Sequence, residues 1–133
     1  MDYISKSHSK FLIMVHLIFV CKYRKKLLVK FAEQIKTLML DIAQEKKFRI
    51  IEIETDNDHL HLLVSYNPNQ SILQIVRHLK QISTYRIWRI GDNNLYLQKH
   101  FWKEKTFCSD GYFACSIGNV SNDVIKKYIQ SQG

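Results

Sequence analysis

Two spacings of apolar residues alternate along this chain and predict strands and helices. Residues 11–22 (FLIMVHLIFVCK) are apolar at nearly every position and rich in β-branched and aromatic residues, which is typical of a strand covered on both faces. Residues 48–66 contain two alternating runs separated by Asp56-Asn57-Asp58, three residues that favour tight turns, and so predict a β-hairpin. Residues 1–10 are polar and predict a loose arm.

Three later segments have the 3.6-residue period of amphipathic helices. In residues 29–46 one apolar stripe falls at i, i+4, i+7 and i+11: Phe31, Ile35, Leu38 and Ile42. Residues 71–89 predict a second helix, capped by Asn69 or Ser71, with the buried stripe Ile72, Ile75, Val76, Leu79 and Ile82. Residues 119–132 predict a last helix, on which Val124, Tyr128 and Gln132 share one face.

The order of these elements predicts the fold class. Residues 91–105 look like an irregular connection, and residues 106–117 look like a fourth strand interrupted near Asp110-Gly111. A βαββαβ order packs most simply as a four-stranded antiparallel sheet with helices on one face. We therefore expect an α+β, ferredoxin-like or RRM-like domain over residues 1–133, with an extra C-terminal helix.

The hairpin carries the most distinctive candidate chemistry, a pair of histidines. The two-residue period of a strand places His59 and His61 on one face and Leu60, Leu62 and Val64 on the other. Their Cα atoms would lie roughly 7 Å apart, close enough for both imidazoles to bind one ion. Hydrogen-bonded or solvated histidines are the commoner alternative. His16, within the first strand, is either a core histidine or a member of the same site.

Charge and cysteine content narrow the class of protein. The formal net charge is +8, from 20 Lys and Arg against 12 Asp and Glu, which favours an anionic partner, nucleic acid more than an acidic membrane surface. Three cysteines without CxxC spacing argue against a disulfide framework or a structural zinc site and favour a cytoplasmic location. The apolar run at 11–20 lacks a small-residue cleavage site and is too short to span a bilayer, so we expect no membrane association.

Basic residues cluster in two places that could contact DNA. The turn after the first strand, Tyr23, Arg24, Lys25 and Lys26, could hold a phosphate. One face of the second helix carries Arg77, Lys80, Gln81, Thr84 and Trp88, which suits a nucleic-acid backbone and a stacked base, and Arg86 adds a further charge. Ordinary solvated surfaces are the alternative for both clusters.

Four stretches, in this order, together resemble one known family. They are VHLIFVCKYRKKLL at 15–28, TDNDHLHLLV at 55–64, FACSIG at 113–118 and VIKKYIQSQ at 124–132. His59-Leu60-His61 resembles the HUH motif, and the four stretches together resemble the single-tyrosine HUH transposases of the insertion sequence 200/605 family. The resemblance covers nearly the whole chain, from about Val15 to Gln132.

The resemblance implies a specific chemistry. Members are homodimers that recognise single-stranded DNA hairpins at element ends and cleave and rejoin single strands with Mg²⁺ or Mn²⁺. By position, His59, His61 and Gln132 would bind the metal, and Tyr128 would be the nucleophile that forms a 5′-phosphotyrosine link. Gly118 matches the family's hinge, across which the tyrosine helix of one chain can complete the histidine site of the other. By ligand softness alone, two imidazoles would suit zinc as well.

Two other functions stay open at the level of sequence. One is a non-catalytic or domesticated ferredoxin-like protein that binds hairpin nucleic acid. The other is a metal-dependent nuclease that uses water and would not need Tyr128. The presence of His59, His61 and Tyr128 together favours the transposase.

Overall fold

The computed structural model describes the backbone of residues 4–6, 9–11, 13–116 and 122–132, and the side chains of residues 13–116 and 126–132. Within these ranges the elements are, in chain order, β1 (Ile4–Lys6), β2 (Ser9–Phe11), β3 (Ile13–Val20), a 3₁₀ turn (Lys22–Arg24), α1 (Leu28–Lys46), β4 (Arg49–Thr55), β5 (His59–Tyr66), α2 (Ile72–Ile87), α3 (Asn93–His100), β6 (Phe113–Ser116) and α4 (Asn122–Ser131).

Strands β3 to β6 form one antiparallel sheet in the order β4-β5-β3-β6. Strand β3 lies in the interior, paired with β5 from Ile13↔Tyr66 to Val20↔His59 and with β6 from Val15↔Ser116 to Ile18↔Phe113. This confirms the predicted α+β, ferredoxin-like arrangement. It also explains why β3 is apolar throughout, since both of its edges are paired and most of its side chains are buried.

Helices α1 and α2 cover one face of this sheet. The sheet contributes Val15, Leu17, Phe19, Leu60, Leu62 and Val64 to the core, and each is at most 2% exposed. The four residues of the predicted α1 stripe are all buried, and the α2 stripe is buried or packed against the core. Burial of each such side chain contributes roughly 1.5–3 kcal/mol. The helix-facing side of the hairpin is therefore the side predicted from its alternation.

Helix α2 begins as its sequence predicts. Ser71 has an extended backbone, and its side-chain oxygen accepts a hydrogen bond from the Gln74 amide at 3.1 Å. This satisfies one of the free amides of the first turn, as a serine N-cap does. Asn69, the other candidate, instead belongs to the preceding turn, where its amide donates to Asn67 Oδ1.

Two segments expected to be irregular contain regular structure. Within the predicted loose arm, β1 and β2 pair as a short hairpin from Ile4↔Phe11 to Lys6↔Ser9. Within residues 91–105 the structure has α3, whose own sequence is barely amphipathic. Tertiary contacts stabilise α3: the Asn93 amide donates to Gln34 Oε1 and to the Ile87 carbonyl, and Leu97 is fully buried. Such contacts override a weak local pattern.

The fourth strand is interrupted where Asp110-Gly111 predicted it. Cys108 forms an isolated antiparallel bridge with Cys21, and the ladder resumes at the pair Ile18↔Phe113. Cys21 lies three residues from Ile18, whereas Cys108 lies five residues from Phe113. The segment between Cys108 and Phe113 therefore has two extra residues and bulges out of the sheet. This stretch, residues 109–112, is called the bulge below.

Among the described residues, no helix is both long and apolar enough to cross a membrane. The proposed hinge, Gly118, lies outside the described residues, as do residues 119–121 of the predicted last helix.

Candidate active site

The two histidines of β5 lie on the sheet face opposite α1 and α2. His59 pairs with Val20 and His61 pairs with Ile18, while Leu60 between them enters the core. Both imidazoles are partly buried. The predicted placement of the pair on one face is therefore what the structure shows.

His59 is oriented by the residue that precedes it. Its Nδ1 lies 3.0 Å from Asp58 Oδ1, and the other oxygen of that carboxylate lies 3.6 Å from Arg24 Nε. Because an ionised carboxylate only accepts, His59 Nδ1 is the donor, which in the neutral imidazole leaves the lone pair on Nε2. A carboxylate that fixes an imidazole in this way is the usual support of a metal-binding histidine.

Arg24 reaches Asp58 from an unusual turn. Tyr23 and Arg24 both have left-handed backbone conformations, with φ of 59° and 53°. Such conformations cost about 1–3 kcal/mol each for residues other than glycine and persist where surrounding contacts fix them. Here the fixing contacts are the Arg24–Asp58 ion pair and the Tyr23 hydroxyl, which donates to Glu104 Oε1 at 2.8 Å.

His61 contacts a third histidine, His16. His16 Nδ1 and His61 Nε2 lie 2.9 Å apart, so one of the two nitrogens donates and the other accepts. Burial, and then the neighbouring His16, lower the pKa of His61, which favours the neutral imidazole that a metal ligand must be. The sequence left His16 as either a core histidine or a member of the candidate site, and the structure shows that it contacts the site through His61.

Tyr128 and Gln132 meet above the bulge. The Tyr128 Oη lies 3.6 Å, and Gln132 Oε1 3.7 Å, from the position that a Cβ would occupy on Gly111. The Tyr128 ring packs against Phe113, with 5.6 Å between the ring centroids. One helical turn of separation thus brings both side chains to one place, as their spacing predicts.

The Tyr128 hydroxyl is buried and has no hydrogen-bond partner among the described residues. Burial, and then the nearby Cys108 thiol, raise the pKa of Tyr128 to about 12. An unsatisfied buried hydroxyl is costly in a folded protein, commonly about 1–3 kcal/mol. Ser65 Oγ is in the same state, so it is the position of the Tyr128 hydroxyl beside Gln132 that makes it a candidate reactive group.

The sheet register relates the tyrosine to the histidines. Ile18 pairs with His61 on one side and with Phe113 on the other, and directly paired residues point to the same face. Tyr128, in contact with Phe113, therefore lies at the β6 edge of the face that carries the histidines. The rows of β5 and β6 are two strand spacings apart, roughly 10 Å.

In the part of the chain that the structure describes, no three His, Cys, Asp or Glu side chains form a metal cluster.

Lys80 holds the bulge from below. Its ammonium, partly buried, donates to the carbonyls of Ser109, Asp110 and Gly111, the last two at 2.8 and 3.1 Å. Burial lowers the pKa of Lys80. Asp110-Gly111 predicted an interruption of the strand, but no sequence pattern predicted that Lys80, 30 residues before Asp110, would bind it.

The other predicted DNA contacts are spread over the surface. Arg86 makes two hydrogen bonds of 2.8 Å to Glu45 and so ties α2 to α1. Lys25 lies 6.0 Å from the Phe101 ring centroid, and Arg77 is exposed on α2. Lys80 and Arg86 thus have structural partners within the chain, and the contact of all these residues with DNA stays a prediction.

Comparisons with known proteins identify the family. Residues 9–132 match the family described as IS200-like transposases. The ISDra2 transposase TnpA of Deinococcus radiodurans is 32% identical over 118 residues, which are 88% of this chain and 81% of that protein. The transposase of insertion sequence element IS200 from Salmonella typhimurium is 26% identical over 96% of this chain and 82% of its own length.

Solved structures show the same fold. A crystal structure of a Deinococcus radiodurans protein described as a candidate transposase superposes with a TM-score of 0.85 at 25% identity, over 97% of both chains. A REP-associated tyrosine transposase bound to a REP hairpin superposes with a TM-score of 0.55 at 14% identity, over 98% of this chain and 68% of the other. The family match over residues 9–132 and the 32% identical relative show that the chain belongs to the IS200-like transposase family.

Proposed function

We propose that this transposase binds single-stranded DNA hairpins at element ends and cleaves and rejoins single strands through a 5′-phosphotyrosine on Tyr128. The observation that carries the proposal is the buried, unpartnered Tyr128 hydroxyl beside Gln132, at the edge of the histidine face. A hydroxyl nucleophile needs a base or a metal ion to activate it, and the unpartnered Tyr128 oxygen is available to either.

The proposed reaction conserves the phosphodiester energy. The Tyr128 oxygen attacks the phosphorus, the bond between phosphorus and the 3′ oxygen breaks, and that oxygen takes a proton to leave as a free 3′-OH. The reverse attack by a 3′-OH restores the DNA strand and the tyrosine. With a pKa of about 12, the Tyr128 hydroxyl is protonated at neutral pH, so its proton must pass to a base or to water as the new bond forms.

The donor set suits a divalent cation. The Nε2 of His59 is free, His61 favours its neutral form, and Gln132 offers an amide oxygen. We propose these three residues as ligands of Mg²⁺ or Mn²⁺, which would polarise the phosphate and stabilise the leaving oxygen. His16 would have to release the His61 Nε2 if that nitrogen is the ligand.

The separation of the two halves supports a composite site in a homodimer. The rows of the histidines and of Phe113 are separated by roughly two strand spacings, and the side chains of both halves would have to close this gap to bind one ion. We propose that α4 moves across the sheet or that the α4 of a second chain supplies Tyr128 and Gln132. The connection that would permit either arrangement includes Gly118, outside the described residues.

Hairpin DNA is proposed from the chain's charge and its relatives. The structural relative that superposes at 14% identity is bound to a REP hairpin, and the present chain carries a net charge of +8. The proposed contacts are Tyr23, Arg24, Lys25, Arg77, Lys80 and Arg86. Of these, Arg77 is the simplest to test, because its side chain is exposed on α2.

Adduct formation tests the proposal. The full chain is incubated with Mg²⁺ and a labelled single strand that carries the genomic sequence flanking its gene, and the products are separated under denaturing conditions. We expect a covalent protein–DNA adduct that is absent in Tyr128→Phe and in reactions with EDTA. Cleavage that persists in Tyr128→Phe would establish a water nucleophile, and binding without cleavage by the wild type would establish the non-catalytic binder.

A further inference from the structure

A groove beside α2 has a composition that the proposed active site does not explain. It is a cavity of about 380 Å³ between the C-terminal half of α2 and residues 105–108. A smaller depression of about 190 Å³ continues it and shares Trp88, Arg89 and Lys105. We call the two together the α2 groove.

The α2 groove is basic. Lys80, Arg89 and Lys105 line it, and no carboxylate does among the described residues, although the chain has 12 Asp and Glu. This charge pattern favours an anionic occupant and disfavours an acidic or mixed protein surface.

The groove also presents a flat, exposed stacking surface. The Tyr85 side chain is 61% exposed, and the Arg89 guanidinium lies 3.5 Å from its ring centroid. Arg89 is held there by a hydrogen bond of 2.7 Å to the Tyr85 carbonyl. The guanidinium therefore covers one face of the ring, and an unpaired base would stack on the uncovered face of the ring or on the outer face of the guanidinium.

The floor of the groove is rigid and apolar. Trp88, which forms the floor, is 6% exposed and donates its indole N–H to the Thr106 carbonyl at 2.9 Å. Because Trp88 is buried, Tyr85 is the ring available for stacking. Thr84 and Gln81 add polar groups at the side. A cavity of this size has room for a nucleobase.

The groove adjoins the nucleophile through two shared residues. Cys108 lines the groove and also raises the pKa of Tyr128 by its proximity. Lys80 lines the groove and binds the carbonyls of the bulge beneath Tyr128. The groove therefore lies against the bulge on which Tyr128 and Gln132 rest.

From these observations we propose that the α2 groove binds the unpaired DNA strand next to the cleaved phosphate, with one base stacked on the Tyr85–Arg89 pair. The inference rests on the proposed function, since it assumes that this chain acts on single-stranded DNA. It adds a binding site that is distinct from the predicted hairpin contacts at the turn of residues 23–26.

Equilibrium binding of two fluorescent probes tests the inference. One probe is a ten-nucleotide oligo-dT strand, and the other is a DNA hairpin without a single-stranded tail. We expect Tyr85→Ala to weaken oligo-dT binding roughly 5- to 30-fold, because a stacked base is lost, and to leave the tailless hairpin within about twofold. Tyr85→Phe keeps the ring and should bind both probes like the wild type.

Charge and surface controls accompany these variants. Arg89→Ala should reduce the slope of log K against log salt for oligo-dT by about 0.7, whereas Lys36→Ala on α1 should leave it unchanged. Leu73→Ala, a truncation of another exposed side chain of α2, should leave oligo-dT binding within about twofold. Because Tyr85 is mostly exposed, its variants should unfold like the wild type.

Unchanged oligo-dT binding by Tyr85→Ala, or equal weakening of both probes, would overturn the inference. So would a change in the oligomeric mass of Tyr85→Ala in the absence of DNA, because the groove would then be a protein contact. The proposed function is tested separately, by the covalent adduct. Tyr128→Phe should lose the covalent adduct and still bind oligo-dT normally, so the two proposals can fail independently.

Discussion

At the scale of single residues, the environment of each candidate group fits one role. The carboxylate of Asp58 binds His59 Nδ1, burial lowers the pKa of His61, and the Tyr128 hydroxyl lacks a partner among the described residues. These properties come from neighbours in space, and only the Asp58–His59 contact is also a contact between neighbours in sequence. Periodicity could therefore predict which face each side chain occupies but not its protonation or its partners.

Asp58→Asn tests the orientation of His59. An amide cannot hold the imidazole as a carboxylate does, so we expect metal affinity to fall roughly 10- to 100-fold. Calorimetric titration of the full chain with Mn²⁺ measures this directly. Asp56→Asn is the matched control, since the Asp56 side chain accepts a hydrogen bond from the neighbouring Asn57 amide, and the variant should leave the affinity unchanged. Equal loss in both variants would show a general effect of charge.

At the scale of elements, the bulge connects the α2 side of the fold to the nucleophile. Lys80 of α2 binds three consecutive carbonyls, and the last of these residues, Gly111, lies directly beneath Tyr128 and Gln132. The interrupted strand was predictable from Asp110-Gly111, because both residues favour turns. The support by Lys80 was not, because a basic residue on an amphipathic helix looks the same whether it faces solvent or a backbone carbonyl.

Lys80→Met tests that support. The substitution keeps the approximate length of the side chain and removes the ammonium, so the carbonyls of the bulge lose their donor. We expect the free energy of unfolding, measured with urea, to fall by about 1–3 kcal/mol. Arg77→Met, an exposed position on the same helix, should change the free energy of unfolding by less than about 0.5 kcal/mol. If the two variants unfold alike, Lys80 does not stabilise the bulge.

At the scale of the whole molecule, the fold was largely predictable and the assembled site was not. The strong periods of α1, α2 and the hairpin predicted an antiparallel sheet with helices on one face, and the face on which His59 and His61 lie. The weakly amphipathic α3 and the hairpin β1–β2 were missed, since long-range contacts or backbone pairing stabilise them without a clear side-chain pattern. The distance between the histidine row and Tyr128 depends on sheet register, which a linear sequence does not supply.

The central claim is that Tyr128 takes up the 5′ end of the cleaved strand. Tandem mass spectrometry of the purified covalent complex, after protease and nuclease digestion, tests it most directly. We expect one modified peptide, with a 5′-phosphate ester on Tyr128, and a released fragment whose 3′-OH can be extended by a polymerase. A modification on any other residue, or a link through a 3′ phosphate, would contradict the account.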